Sequence, residues 1–150
     1  NFDVTALDPD ERMLSLNNFE KKVVGKSEEL PFNENSFDNV LCCFVWRNVA
    51  NTEKALGEVY RVLKPGGKFI LLDMTRPKNF FLKILHKIGT FVLLHLVGFI
   101  TFNLEEYRFL YKSLDFYPQP EDHLTQDKYE NMVIHRIGLF DFVYLAVFTK

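Results

Sequence analysis

Three sets of residues in this 150-residue chain have types and spacings suited to chemistry. Asp8 closes an alternating apolar and polar run. A carboxylate at the C-terminal end of an early strand is placed to hydrogen-bond both hydroxyls of a ribose, because parallel α/β sheets bind ligands beyond those ends. The same residue also reads as the end of a strand in an Asp8-Pro9 turn. Arg47 and Asn48 directly follow the apolar run Phe37 to Phe44, beside Trp46. A guanidinium there can hold an oxyanion, with the amide adding a donor or acceptor. In the alternative, Arg47 pairs with a surface carboxylate and Asn48 shapes a turn. Third, Leu30-Pro31-Phe32 sets an apolar plug in a polar loop, either as one wall of an adenine pocket or as core residues closing the sheet edge.

Other chemistries find little support. His86, His95, His123 and His135 show no metal-ligand spacing with one another or with Cys42 and Cys43, so they read as surface or packing histidines. Neither a nucleophile elbow nor a phosphate-binding loop occurs. With 18 basic against 20 acidic residues the chain has no electrostatic footprint for a polyanion, which argues against nucleic acid as a partner. The adjacent cysteines would point to opposite faces of a strand, as suits a reducing compartment.

The elements that must position these residues follow from patterning. Phe2 to Leu7 reads as a strand, and Asp10 caps a helix with a short apolar face (Met13, Leu14, Leu16) reaching about Phe19. Val23-Val24-Gly25 is a brief second strand, Lys26 to Ser36 a loop, and Phe37 to Phe44 a strand expected to be buried on both faces. Asn51 caps a helix whose stripe of Ala55, Leu56, Val59, Tyr60 and Leu63 ends at Lys64-Pro65-Gly66-Gly67. Phe69 to Leu72 is the next buried strand, ending at Asp73-Met74. Helical material is expected from Pro77 to about Phe116, then a break at Pro118-Gln119-Pro120, a helix through Ile137 and a terminal strand from Phe140 to Phe148. The order points to an α/β domain with a largely parallel sheet. The most apolar stretch, Ile88 to Phe102, falls short of the ~20 residues that span a bilayer and reads as a buried or membrane-surface helix.

Taken in order, Leu7-Asp8-Pro9, Met13-Leu14, Glu29-Leu30-Pro31-Phe32, Asn35-Ser36-Phe37-Asp38, Arg47-Asn48-Val49 and Tyr60-Arg61-Val62-Leu63-Lys64-Pro65-Gly66-Gly67 resemble the ubiquinone/menaquinone biosynthesis C-methyltransferases. The Arg-Val-Leu-Lys-Pro-Gly-Gly run is shared by many class I methyltransferases, and the pairing of Leu-Pro-Phe with Arg-Asn-Val is more particular to the quinone group. The resemblance implies a Rossmann-like α/β sheet with helices on both faces, one methyltransferase domain over residues 1–150 and a helical lid over about 78–116. It implies S-adenosyl-L-methionine as cofactor, with Asp8, Met13, Lys26, Ser27 and Cys43 near it. Arg47 and Asn48 would face the ring of a lipid quinol substrate. Peripheral membrane contact is expected, in the cytoplasm or, in a eukaryote, on the matrix side of the mitochondrial inner membrane. The alternatives are a class I methyltransferase acting on another apolar small molecule, and a non-catalytic remnant binding a lipid or partner protein.

Three departures from the family pattern stand out. Lys26 occupies a position where an acidic or amide side chain usually accepts from the adenine amine, and lysine cannot accept. Too few residues follow Gly138 for the usual final hairpin of two long strands, so one strand is expected to be short or absent. Nothing before Asn1 supplies the first strand or its glycine-rich turn. That strand would lie between the one ending at Asp8 and the one ending at Phe44, so a partner chain or a preceding segment is expected to complete the sheet.

Overall fold

The computed structural model describes residues 3–124, 127–138 and 141–150. Two sheets form. In the first, β1 (Thr5–Asp8) pairs in parallel with β2 (Lys21–Val24). In the second, β3 (Phe37–Cys43), β4 (Leu63–Met74), β6 (Val143–Thr149) and β5 (Asn131–Ile137) follow in that order, with β3 parallel to β4 and the last two antiparallel. No described strand lies between β1 and β3.

Helix α1 (Glu11–Ser15) is shorter than the expected run to Phe19. Asp10 caps it as anticipated, accepting from Arg12 N, but Asn17 accepts from Phe19 N at 3.1 Å and closes a local turn that competes with further helix. Only Leu14 of its apolar residues is buried. Helix α2 (Thr52–Val62) is capped by Asn51, whose side chain accepts from Lys54 N at 2.9 Å, and buries Ala55, Leu56, Val59 and Val62. The irregular start of β4, where its register against β3 shifts, needs glycine: Gly66 has φ +76°, and a Cβ on Gly67 would lie 2.8 Å from the Lys64 carbonyl oxygen.

The core joins α2 to the inner strands. Trp46, Leu63, Phe69, Leu71, Tyr144, Ala146 and Phe148 are fully or almost fully buried, and the rings of Phe69 and Phe148 stack at 5.5 Å. Strand β3 is not buried on both faces as its apolar run suggests. Leu41 is 67% exposed and Cys43 exposed, because β3 is an edge strand whose outer side has no described neighbour.

Beyond β4 the chain forms α3 (Phe80–Ile100), α4 (Leu104–Phe116) and α5 (Pro120–His123). The expected helix through Ile137 is instead β5. Met132, Ile134 and Arg136 alternate with exposed neighbours in a period of two, and pairing with β6 satisfies the backbone. The final hairpin therefore has two strands of 7 residues each, where one was expected to be short or absent. Its loop uses Gly138 at φ +85° and Asp141 at φ 57°. Phe2 and Phe140, placed at strand starts by patterning, lie outside the described residues.

Candidate active site

The residues singled out in the sequence occupy the carboxyl ends of parallel strands. Asp8 is the last residue of β1, Lys26 and Ser27 follow β2, Cys43 ends β3, and a single 3₁₀ turn over Trp46–Asn48 carries Arg47 and Asn48 just beyond β3. Phe44 makes the turn between strand and 3₁₀ segment in the left-handed region at φ 58°, while its N–H still donates to the Leu72 carbonyl at 2.8 Å. That reversal sends the chain back across the end of β4. Met13 is different: it sits on α1 with more than half its surface exposed.

Arg47 is not an open rim residue. Its guanidinium pairs with Asp73, near the end of β4, and its backbone N–H donates to the second carboxylate oxygen at 3.1 Å. The two side chains are 6% and 0% exposed. Burial pushes the Asp73 carboxyl upward, against the backbone N–H of Met74 and the Arg47 charge, which favour the anion. Burial likewise raises the Cys42 thiol to about 12, with Asp73 and Cys43 adding to the shift. Among the described residues, the buried side-chain atoms without a hydrogen-bond partner are Trp46 Nε1, Arg47 Nε, Thr75 Oγ1 and Tyr144 Oη. All four gather at this strand end: Trp46 and Arg47 beyond β3, Thr75 one residue past β4, and Tyr144 opposite Asp73 in the register. A fold that pairs nearly all its buried polar groups has concentrated its exceptions in one place.

Arg76 anchors the helices beyond β4. Only 2% exposed, it donates to Asp115 Oδ1 at 2.9 Å, Thr90 Oγ1 at 2.7 Å and the Tyr111 carbonyl at 3.3 Å, and it approaches His86 Nδ1 at 3.2 Å. Its guanidinium also lies 4.9 Å from the centre of the Tyr111 ring. One fork thus holds both α3 and α4 to the end of the sheet. Tyr117, after α4, bonds His123 Nε2 at 2.7 Å, and His123 Nδ1 meets the Gln119 carbonyl at 2.8 Å.

The Leu30-Pro31-Phe32 plug closes the core edge. Leu30 packs on the core, and Phe32 meets Phe37 edge-on at 4.8 Å. Arg61 donates to the carbonyls of Phe32 and Leu30 at 2.7 and 2.9 Å, while Glu58 accepts from Leu30 N at 2.8 Å. Two surface hollows, one over Asn51 to Glu58 with Lys128 and one over Asp38, Asn39 and Lys64 to Lys68, touch neither Asp8 nor Arg47. Among the described residues no three metal-ligating side chains converge.

Asp73, Arg76, Asp115, Tyr117 and His123 were not assigned roles from the sequence. Asp73 carries the same signal that drew attention to Asp8, an acid ending a buried strand.

Residues 3–141 match the ubiE/COQ5 methyltransferase family. The chain belongs to that family. Among curated members it is 40% identical over 114 residues to the ubiquinone/menaquinone biosynthesis C-methyltransferase UbiE of Rickettsia felis, covering 74% of this chain and 46% of that protein. With its counterpart from Rickettsia bellii it shares 39% over 144 residues, covering 89% and 56%. The chain therefore spans about half the length of the curated relatives it matches. Solved structures agree on the fold: a SAM-dependent methyltransferase from Thermotoga maritima superimposes with a TM-score of 0.65 at 22% identity, over 96% of this chain and 72% of that one. One from Aquifex aeolicus gives 0.52 at 16%, over 98% and 68%. The fold is that of the class I methyltransferases.

Membership in this family and fold implies S-adenosylmethionine as methyl donor. The residues present fit its ribose. Asp8 Oδ1 accepts from Asp10 N at 2.8 Å, leaving Oδ2 without a partner among the described residues. At Lys26 and Ser27 the polar groups are already engaged: Glu29 N donates to the Lys26 carbonyl at 3.1 Å and the Ser27 hydroxyl donates to Glu28 Oε2 at 3.1 Å.

Proposed function

We propose that this chain serves the C-methylation of a polyprenylated quinol ring, with Asp8 holding the ribose of S-adenosylmethionine and Arg47 and Asn48 facing the ring. The observation that carries this reading is the buried Arg47–Asp73 pair at the end of β3 and β4, in a chain of the quinone methyltransferase family. When bound, the cofactor supplies an electrophilic methyl group on a sulfonium. The protein's part is to make a ring carbon nucleophilic and to align it. Ionising a ring hydroxyl raises electron density on the neighbouring carbon. Arg47, held in place by the fully buried Asp73 carboxylate, keeps Nε unpartnered as a fixed hydrogen-bond donor for that oxyanion in a site of low dielectric. Alignment of the two reacting carbons contributes about 7 to 11 kcal/mol in favourable cases.

The acceptor's isoprenoid tail accounts for α3. That helix has 21 residues and is long and apolar enough, by length and composition, to cross a membrane. Of the two readings of this segment, buried helix or membrane-surface helix, the first is not met, for only His86 and Gly98 are buried. Phe81, Leu85, Ile88, Val92, Leu96 and Phe99 form one exposed stripe at helical spacing. Exposed apolar surface of this extent marks a lipid or membrane contact. The helices over about 78–116 thus serve as a lid that meets the tail at the bilayer surface, with the chain membrane-peripheral. Incubation with methyl-labelled S-adenosylmethionine and a short-chain prenylated quinol tests the reading: label should enter the quinol ring, and a chain that labels no quinol contradicts it.

A further inference from the structure

The quinol reading needs an outlet for the hydroxyl proton, and Arg47 cannot serve as one because it stays charged in proteins. Asp73 is an equally poor base for the purpose, since its carboxylate is fully engaged by Arg47 and the Arg47 and Met74 N–H groups. Just past the end of β4, where the Gln119 side chain donates to the Arg76 carbonyl at 3.2 Å, a tyrosine and a histidine are in direct contact. The Tyr117 oxygen is 2.7 Å from His123 Nε2. His123 Nδ1, 2.8 Å from the Gln119 carbonyl, must carry the ring proton, since a carbonyl can only accept. Nε2 is then a lone-pair acceptor, and the Tyr117 hydroxyl donates to it. Tyr117 itself packs on the core, with Tyr144 beside it and the charges of Asp73 and Arg47 within electrostatic reach. Tyr117 and His123 are both half-buried.

We propose that Tyr117 and His123 form the proton outlet of the Arg47–Asp73 site. This deepens the quinol reading and rests on it. The acceptor's hydroxyl proton passes to the Tyr117 oxygen as the Tyr117 proton passes to His123 Nε2. The phenol is thereby restored and the imidazolium keeps Nδ1–H on Gln119 and Nε2–H on Tyr117; after methyl transfer the ring-carbon proton returns to the acceptor oxygen by tautomerisation, and the stored proton goes back through Tyr117 to solvent when the product departs. One proton crosses and the positive charge on the ring is transient. The groups around it favour that charge: Asp122 and Glu121 on α5, and Asp73 on β4. Glu121 is shared with Arg136 of β5 and Lys78 before α3, which weakens its pull. Burial opposes the charge most strongly and sets the neutral, accepting imidazole below its ordinary pKa.

Two measurements on the full chain decide this. Histidine NMR should show His123 as the Nδ1–H tautomer, and Tyr117→Phe should raise its pKa by removing the donor that stabilises the neutral ring. In methyl transfer to a short-chain prenylated quinol, turnover of the wild type should fall as the imidazole charges, on an acid limb lying below the ordinary histidine range. His123→Gln should lower kcat about 100-fold with KM for the quinol nearly unchanged, and should erase that acid limb. A His123 titration indifferent to Tyr117→Phe, or a His123→Gln variant with wild-type kcat and pH profile, overturns the outlet. A wild-type chain that labels no quinol overturns the functional reading instead, and the histidine titration alone then decides whether the two side chains act as a unit.

Discussion

Arg47 and Asp73 form a buried ion pair that ties the turn after β3 to the end of the neighbouring parallel strand β4, 26 residues later. Because neither side chain has more than slight access to water, removing one strands the other. Asp73→Ala is expected to lower stability by about 3 to 5 kcal/mol, whereas replacing both residues with apolar ones of similar volume should restore most of it. Urea unfolding of the two single variants and the double one checks this, and additive losses would show that the pair is not coupled.

Arg76 makes a comparable point for the lid. Lysine cannot reproduce a planar fork that reaches Asp115, Thr90 and the Tyr111 carbonyl together. Arg76→Lys should cost about 3 kcal/mol and speed hydrogen exchange in α3 and α4 while leaving β4 protected. Exchange mapped by mass spectrometry reads the outcome directly.

The partner of Arg76 gives a pH dependence. Burial works against the Asp115 charge, but Lys87 at 2.9 Å and Arg76 together hold its carboxyl below the ordinary carboxylate value. A carboxyl whose folded pKa is lowered contributes stability above its unfolded pKa of about 3.9 and loses it as pH falls through the folded value. Asp115→Asn should therefore be about 2 kcal/mol less stable than the wild type at pH 7, with the gap closing below that range. Urea titrations at pH 7 and pH 3 compare the two.

On α3, the stripe from Phe81 to Phe99 predicts lipid contact through one face. Ile88→Asp with Val92→Asp, both about 59% exposed, should leave the helical signal intact and reduce flotation with phosphatidylcholine vesicles at least about tenfold. Equal flotation of variant and wild type would assign the stripe to something other than a bilayer.

Much of this was legible beforehand because local chemistry decided it. Asn51 and Asp10 announced their helices as caps, Lys64-Pro65-Gly66-Gly67 announced the end of α2, and the strand tips at Asp8 and Arg47 followed from runs of apolar residues. What escaped notice depended on distant partners. The β5 strand alternates too weakly to distinguish itself until β6 supplies its pairing and buries Tyr144, Ala146 and Phe148. Leu41 has the composition of a buried position, yet lies on an edge. The pairing of Asp73 with Arg47, 26 residues upstream, and the ligands that Arg76 gathers from 10 to 39 residues away are constellations no short pattern encodes. The apolar stretch Ile88 to Phe102 alone falls short of a bilayer span, whereas α3 begins at Phe80 and takes in Lys83, His86 and Lys87.

The claim on which the rest depends is that Arg47 acts on the acceptor and not on the cofactor. Arg47→Lys separates the two, since it keeps the charge and loses the fork. Turnover with a prenylated quinol should fall about 100-fold, while calorimetric affinity for S-adenosylhomocysteine stays within about twofold of the wild type. Unchanged turnover in a variant that still binds the nucleoside would contradict the account.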